Sequence, residues 1–157
     1  TGGPAATLTV ALSGQVDIGW TSPPLGFDML DDGRIRIFAR ANDVPSLRGQ
    51  TIRVNIANAN SLKARRDVFV RFIKAFNETI DWMYSPDPKA LEAYVAFRKT
   101  TLRNATRLRD EFFAKSALDP STVKGMDALM TEAVNLKYMP RVLTPAEIAE
   151  FVQVPLK

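Results

Sequence analysis

The stretch GQVDIGWTSPPLGFDML, Gly14 to Leu30, decides how this chain is read. Gly14 stops the helical spacing that precedes it, Ala5, Leu8, Ala11 and Leu12. Val16 to Trp20 is a short apolar run of the kind that forms a buried strand. Pro23 and Pro24 end that run, because neither can donate to a ladder. Leu25 to Leu30 spaces as a short helix, closed by Asp31-Asp32-Gly33. A strand ending in Trp20-Thr21-Ser22 sets an aromatic face and two hydroxyls at one mouth, where a small ligand can be held.

Upstream, Thr1-Gly2-Gly3-Pro4 opens the first helix. A Gly-Gly entry normally follows a strand, so the chain is expected to begin inside a fold. The entry also offers free N–H groups at a helix N-terminus, which is an anion site. In parallel α/β sheets the loops after successive strands share one edge, where ligands bind. Gly2 and Gly3 therefore join Trp20, Thr21 and Ser22 as candidate ligand contacts. The alternatives are a plain tight turn at the glycines and a core role for Trp20.

Downstream, two segments alternate with period two. In Arg34 to Arg40, residues Ile35, Ile37 and Ala39 oppose Arg36 and Phe38. In Thr51 to Ala57, residues Ile52, Val54 and Ile56 oppose Arg53 and Asn55. That pattern predicts half-exposed strands. Asn55, Asn58 and Asn60 cluster in VNIANAN, suited either to turn and cap chemistry or to a polar wall facing a ligand. Arg36, Arg40 and Arg53 are either solvated and paired with Asp, or a fork for an anion.

The remainder reads as helix. Asn60 or Ser61 caps a start. Phe69, Phe72, Ile73, Phe76, Ile80, Met83 and Tyr84 then carry the strongest periodic signal, a helix of about five turns. Ser85-Pro86-Asp87-Pro88 breaks it. Further helices are expected from Pro88, near Thr101 to Phe113, and along Val123, Met126, Met130 and Val134. Thr144-Pro145-Ala146-Glu147 is a capping box, with Phe151 and Val154 docking the last helix.

Composition narrows the chemistry. The 157 residues fit one domain or a piece of a larger one, with net charge +4 and 46% hydrophobic content. No apolar run approaches the roughly 20 residues of a membrane helix. There is no cysteine, so neither a disulfide nor a thiolate nucleophile is available. There is no histidine, which removes the commonest general base and metal ligand. No calcium-loop motif occurs, and Asp110-Glu111 are adjacent and do not share a helix face. Lys63, Arg65, Arg66, Arg71 and Lys74 alternate with an apolar face, so they read as its wet side and not as a nucleic-acid stripe. No metal, cofactor or catalytic residue is expected.

GGPAATLTVALSGQVDIGW resembles a segment late in the second lobe of periplasmic substrate-binding proteins of ABC transporters, of the nitrate, sulfonate, taurine and thiamine-precursor type. There a glycine-rich turn opens a helix ending in "sGqvDa", followed by a strand and a W-x-x-P turn. TIRVNIANANSLKARRDVFVRFIKAFNETIDWM is similar to the family's return segment into the first lobe. The resemblance implies an α/β fold, the helix-rich C-terminal portion of a two-lobed periplasmic-binding-protein (type II) architecture. Residues 1–33 would end the second lobe, 34–57 would be crossover strands, and 58–157 would be the return segment and C-terminal helices. The chain would then be a C-terminal half with exposed apolar surface and a tendency to self-associate.

The function so implied is solute capture for an ABC importer in the periplasm. A small anionic or heteroaromatic ligand would sit between Gly2, Gly3, Trp20, Thr21 and Ser22 on one side and Asn55 and Asn58 on the other. It would pass to the permease transmembrane subunits, with no nucleic-acid partner and no enzymatic step. The alternatives are a pyrimidine-precursor-synthesising enzyme of the same fold, which depends on histidine, and the effector-binding domain of a regulator.

Overall fold

Helix dominates the chain because its strongest signals are local ones. A computed structural model describes residues 2–51 and 53–153. The α-helices are α1 (Pro4–Leu12), α2 (Phe27–Asp31), α3 (Ala59–Ala64), α4 (Arg66–Met83), α5 (Pro88–Arg98), α6 (Leu102–Arg107), α7 (Met126–Asn135) and α8 (Pro145–Phe151). A π-helical turn, Leu108–Phe112, continues α6. Short 3-10 turns lie at Ala41–Asp43 and Lys115–Leu118.

The expected α/β architecture is not what forms. Helix accounts for 56% of the fold, and no β-strand occurs among the described residues. The two-lobed type II reading is therefore corrected to a small all-helical fold. The physical reason lies in Val16–Trp20, Arg34–Arg40 and the described part of 51–57. A strand is defined by a ladder to a neighbour about 4.8 Å away, and the alternating pattern specifies a face without supplying that neighbour. These segments stay outside any ladder. Arg34 and Ile35 instead donate their N–H groups to the Met29 carbonyl, at 2.9 and 3.3 Å. Ile52 and Val154 lie outside the described residues.

The chain divides into two compact units. The first comprises Thr1–Arg40 and Pro86–Ala114. It contains Leu8 of α1, Phe27 of α2, Ala90 and Leu91 of α5, and Ala105 and Leu108, all buried. Phe27 is the anchor at 2% exposure. Its ring lies 5.4 Å from that of Phe112, centroid to centroid. The Arg107 guanidinium covers Phe27 at 4.5 Å, and Arg40 stands over Phe112 at 5.3 Å. Asp31 at the end of α2 receives Arg107 at 2.9 Å and Arg103 at 3.1 Å. These contacts fasten α2 to α6.

The second unit comprises Ala41–Ser85 and Lys115–Lys157. Met130 is its buried hydrophobic residue among those described. The 18-residue α4 is strongly amphipathic, as its spacing predicts, yet it buries no residue fully. Its C-terminal end is tied by Lys115 to Asp81 at 2.7 Å. Thr51 and Lys124 bond each other twice: Thr51 N–H to the Lys124 carbonyl at 3.0 Å, and Lys124 N–H to Thr51 Oγ1 at 2.9 Å. The expected capping box opens α8. Glu147 N–H donates to Thr144 Oγ1 at 3.3 Å, and Thr144 N–H donates to Glu147 Oε2 at 2.8 Å. Phe151 does not dock; it is 76% exposed.

Candidate functional site

The candidate site is built on the entry of α1. Gly2 adopts φ +86°, a conformation a side chain resists, and turns the chain into the helix. Gly3 is the N-cap in extended conformation, and no side chain caps α1. Pro4 at the first helical position has no N–H to satisfy. Ala6 N–H donates to the Gly3 carbonyl at 3.0 Å. The Gly3 and Ala5 N–H groups belong to the set for which a helix has no internal acceptor. Together with the helix dipole they favour an anion.

The segment ending at Trp20 lies against this same helix. Thr7 Oγ1 donates to the Trp20 carbonyl and also lies 3.1 Å from the Pro4 carbonyl. Gly19 passes so close to α1 that an added Cβ would stand 2.7 Å from the Thr7 carbonyl oxygen. The backbone of Gly19 and Trp20 thus lies against Thr7, in the first turn of the helix that Gly2 and Gly3 open. The Trp20 side chain is 60% exposed, so its indole is available as a platform and is not a core residue. Thr21 Oγ1 is buried with no hydrogen-bond partner. A buried hydroxyl without a partner is costly. Ser22 is half-buried at the start of the turn, and the Pro23-Pro24 bond is cis.

Asn55 and Asn58 belong to the second unit and are exposed. Asn58 is the N-cap of α3, its Oδ1 accepting from Ser61 N–H at 3.1 Å. The cap is thus Asn58 and not Asn60 or Ser61, and the cap chemistry open for this cluster occupies the Asn58 side-chain oxygen. Arg40 stacks on Phe112 within the first unit.

Sequence reasoning did not single out Thr7. It is the buried polar residue among those described, at 7% exposure. The available signal was its spacing: Thr7 and Ala11 lie four apart on one helix face, and both face Gly19.

The titration shifts belong to surface pairs away from this site. The Arg141 fork, followed by the Thr144 backbone and hydroxyl, holds Glu147 far below the usual carboxylate range. Arg109 lowers Asp110, and hydrogen bonds from Ser121 lower Asp119. The second unit also carries an open groove of about 610 Å³ between the 44–50 loop and one face of α7, with Leu47, Gln50, Asp127 and Glu132 among its lining residues. No group of three or more His, Cys, Asp or Glu residues able to hold a metal ion occurs among the described residues. No described helix is long and apolar enough to cross a membrane.

Comparison with family models, with curated proteins and with solved structures returned no match.

Proposed function

We propose that this chain captures a small anionic or heteroaromatic solute at the α1 entry. The observation that carries the reading is the exposed Trp20 residue, on a segment that the Thr7 hydroxyl bonds to the first turn of α1. The uncapped start of α1 supports it, because the Gly3 and Ala5 N–H groups favour a negative group. Trp20 offers a face on which an aromatic ring can lie.

No bond is made or broken in this reading. The anionic group would accept from the backbone at Gly3 and Ala5, and the ring would cover the Trp20 indole. The role as solute-binding component of an ABC importer, delivering its ligand to permease subunits in the periplasm, rests on the likeness of GGPAATLTVALSGQVDIGW and its return segment to that family.

Isothermal titration with inorganic sulfate, benzenesulfonate and 4-aminopyrimidine tests the reading. Binding that is saturable for at least one of these, and weakened at least tenfold by Trp20→Ala, is the expected result. Heat signals that are flat for all of them would defeat it.

A further inference from the structure

The chain gives the hydroxyl of Thr7, the one polar residue buried as a whole among those described, to the backbone of Trp20. Thr7 is 7% exposed and lies in α1 beside the buried Leu8. A helical threonine ordinarily returns its hydroxyl to a carbonyl one turn back. That acceptor is present here, the Pro4 carbonyl at 3.1 Å. Thr7 nevertheless also reaches across to the Trp20 carbonyl, thirteen residues away in sequence.

A second contact acts at the same residue. Gly19 packs directly on the Thr7 peptide. A Cβ there would lie 2.7 Å from the Thr7 carbonyl oxygen and 3.2 Å from Ala11 Cβ. The Gly19 backbone is not in the left-handed region, so the demand for glycine is one of space and not of conformation. The obstructing atom is helix backbone, which cannot swing aside. Thr7 and Gly19 together fix how far the 19–22 segment stands from α1.

We infer that Thr7 and Gly19 are positioning residues that hold Trp20-Thr21-Ser22 in register with the α1 entry. This rests on the capture reading, and it adds the parts that set the geometry of that site. Neither residue needs to touch the ligand. Thr7 acts through the Trp20 carbonyl, and Gly19 acts through the closeness it permits. Loss of the hydroxyl, or a methyl at position 19, would shift the Trp20 backbone, and with it the indole, relative to α1.

The test uses the full chain with Trp82→Phe, so that Trp20 is its one tryptophan. Thr7→Val, Thr7→Ser and Gly19→Ala are made in that background, with circular dichroism confirming helix content. Acrylamide quenching of Trp20 is read without ligand, and benzenesulfonate affinity is read by titration. Thr7→Val and Gly19→Ala are expected to change the quenching constant and to weaken benzenesulfonate at least tenfold. Thr7→Ser, which keeps the hydroxyl, is expected to stay within about twofold of the parent. Parent-like quenching and affinity in Thr7→Val would overturn the inference and leave capture standing. Equal losses in Thr7→Val and Thr7→Ser would overturn it too, by assigning the effect to the fit of the whole side chain and not to its hydroxyl. If the Trp82→Phe parent binds none of the sulfate, benzenesulfonate and 4-aminopyrimidine probes, the capture reading fails and the inference falls with it.

Discussion

The Arg107 guanidinium lies 4.5 Å from the centroid of the Phe27 ring while its NH1 holds Asp31 at 2.9 Å. One side chain thus covers the most buried aromatic of the first unit and fastens the end of α2 to α6. The site depends on this indirectly, since Gly26, at the start of α2, packs on Leu8 of α1.

Removing that side chain should loosen the first unit. Arg107→Ala is expected to cost about 1–2 kcal/mol, the sum of a cation–π contact and a partly buried ion pair. Arg107→Lys should recover only part, because an ammonium cannot stack and fork together. Urea unfolding followed by near-ultraviolet dichroism measures both. Equal stability of the two variants and the parent would refute the assignment.

The α8 cap should survive well into acid. Glu147 is held below its ordinary range by the Arg141 fork and by Thr144. A carboxylate with a depressed folded pKa stabilises fully above its unfolded value, about 4.3. That contribution fades as pH falls through the lower folded value. Amide exchange at Thr144 and Glu147 should therefore remain slowed at pH 5 and near pH 4, and the slowing should disappear only in stronger acid. Loss of protection between pH 6 and 5 would contradict the pairing. Thr144→Ala should cost about 1 kcal/mol of local helix stability at neutral pH.

Gly125 packs closely on Gln50 in the second unit. Its φ is +80°, and a Cβ there would meet Gln50 Cγ at 2.5 Å. Gly125→Ala should destabilise by about 1–2 kcal/mol from the left-handed backbone alone, with the Gln50 side chain displaced. Because Thr51 and Lys124 pair beside it, exchange of the Thr51 amide should accelerate. A Thr51 amide that exchanges at the parent rate would show that the junction is not coupled.

What was legible in the sequence was the short-range part. The capping box at Thr144 and Glu147, the Pro88 start of α5 and the 3.6-residue period of α4 each need only a few neighbours along the chain. All three appear as read. The alternating segments failed because a strand is a relation between two segments, and the side-chain period fixes only which residues share a face. Arg34 and Ile35 show the outcome: their N–H groups turn to Met29. The α3 cap is Asn58, two residues before Asn60 and three before Ser61, because VNIANAN offers several equivalent Asn side chains. Trp20, Thr21 and Ser22 were legible as a cluster. The hydroxyl that seats them, on Thr7, was not, because its partner is a backbone carbonyl, which the sequence does not distinguish.

Exposed apolar side chains should drive association. Ile56 is 91% exposed, and Phe38 and Phe97 are nearly as open. Such residues seek cover when the patch is contiguous. Sedimentation velocity should show a weight-average coefficient that rises with concentration, and Ile56→Ser with Phe38→Ser should reduce the rise. A concentration-independent monomer would remove self-association from the account.

The most direct test of solute capture is Trp20 emission in the Trp82→Phe chain, titrated with benzenesulfonate. Capture at the α1 entry predicts a saturable change in intensity and wavelength, suppressed by sulfate in excess. An emission spectrum that stays constant across the titration, in chain of unchanged helix content, would contradict it.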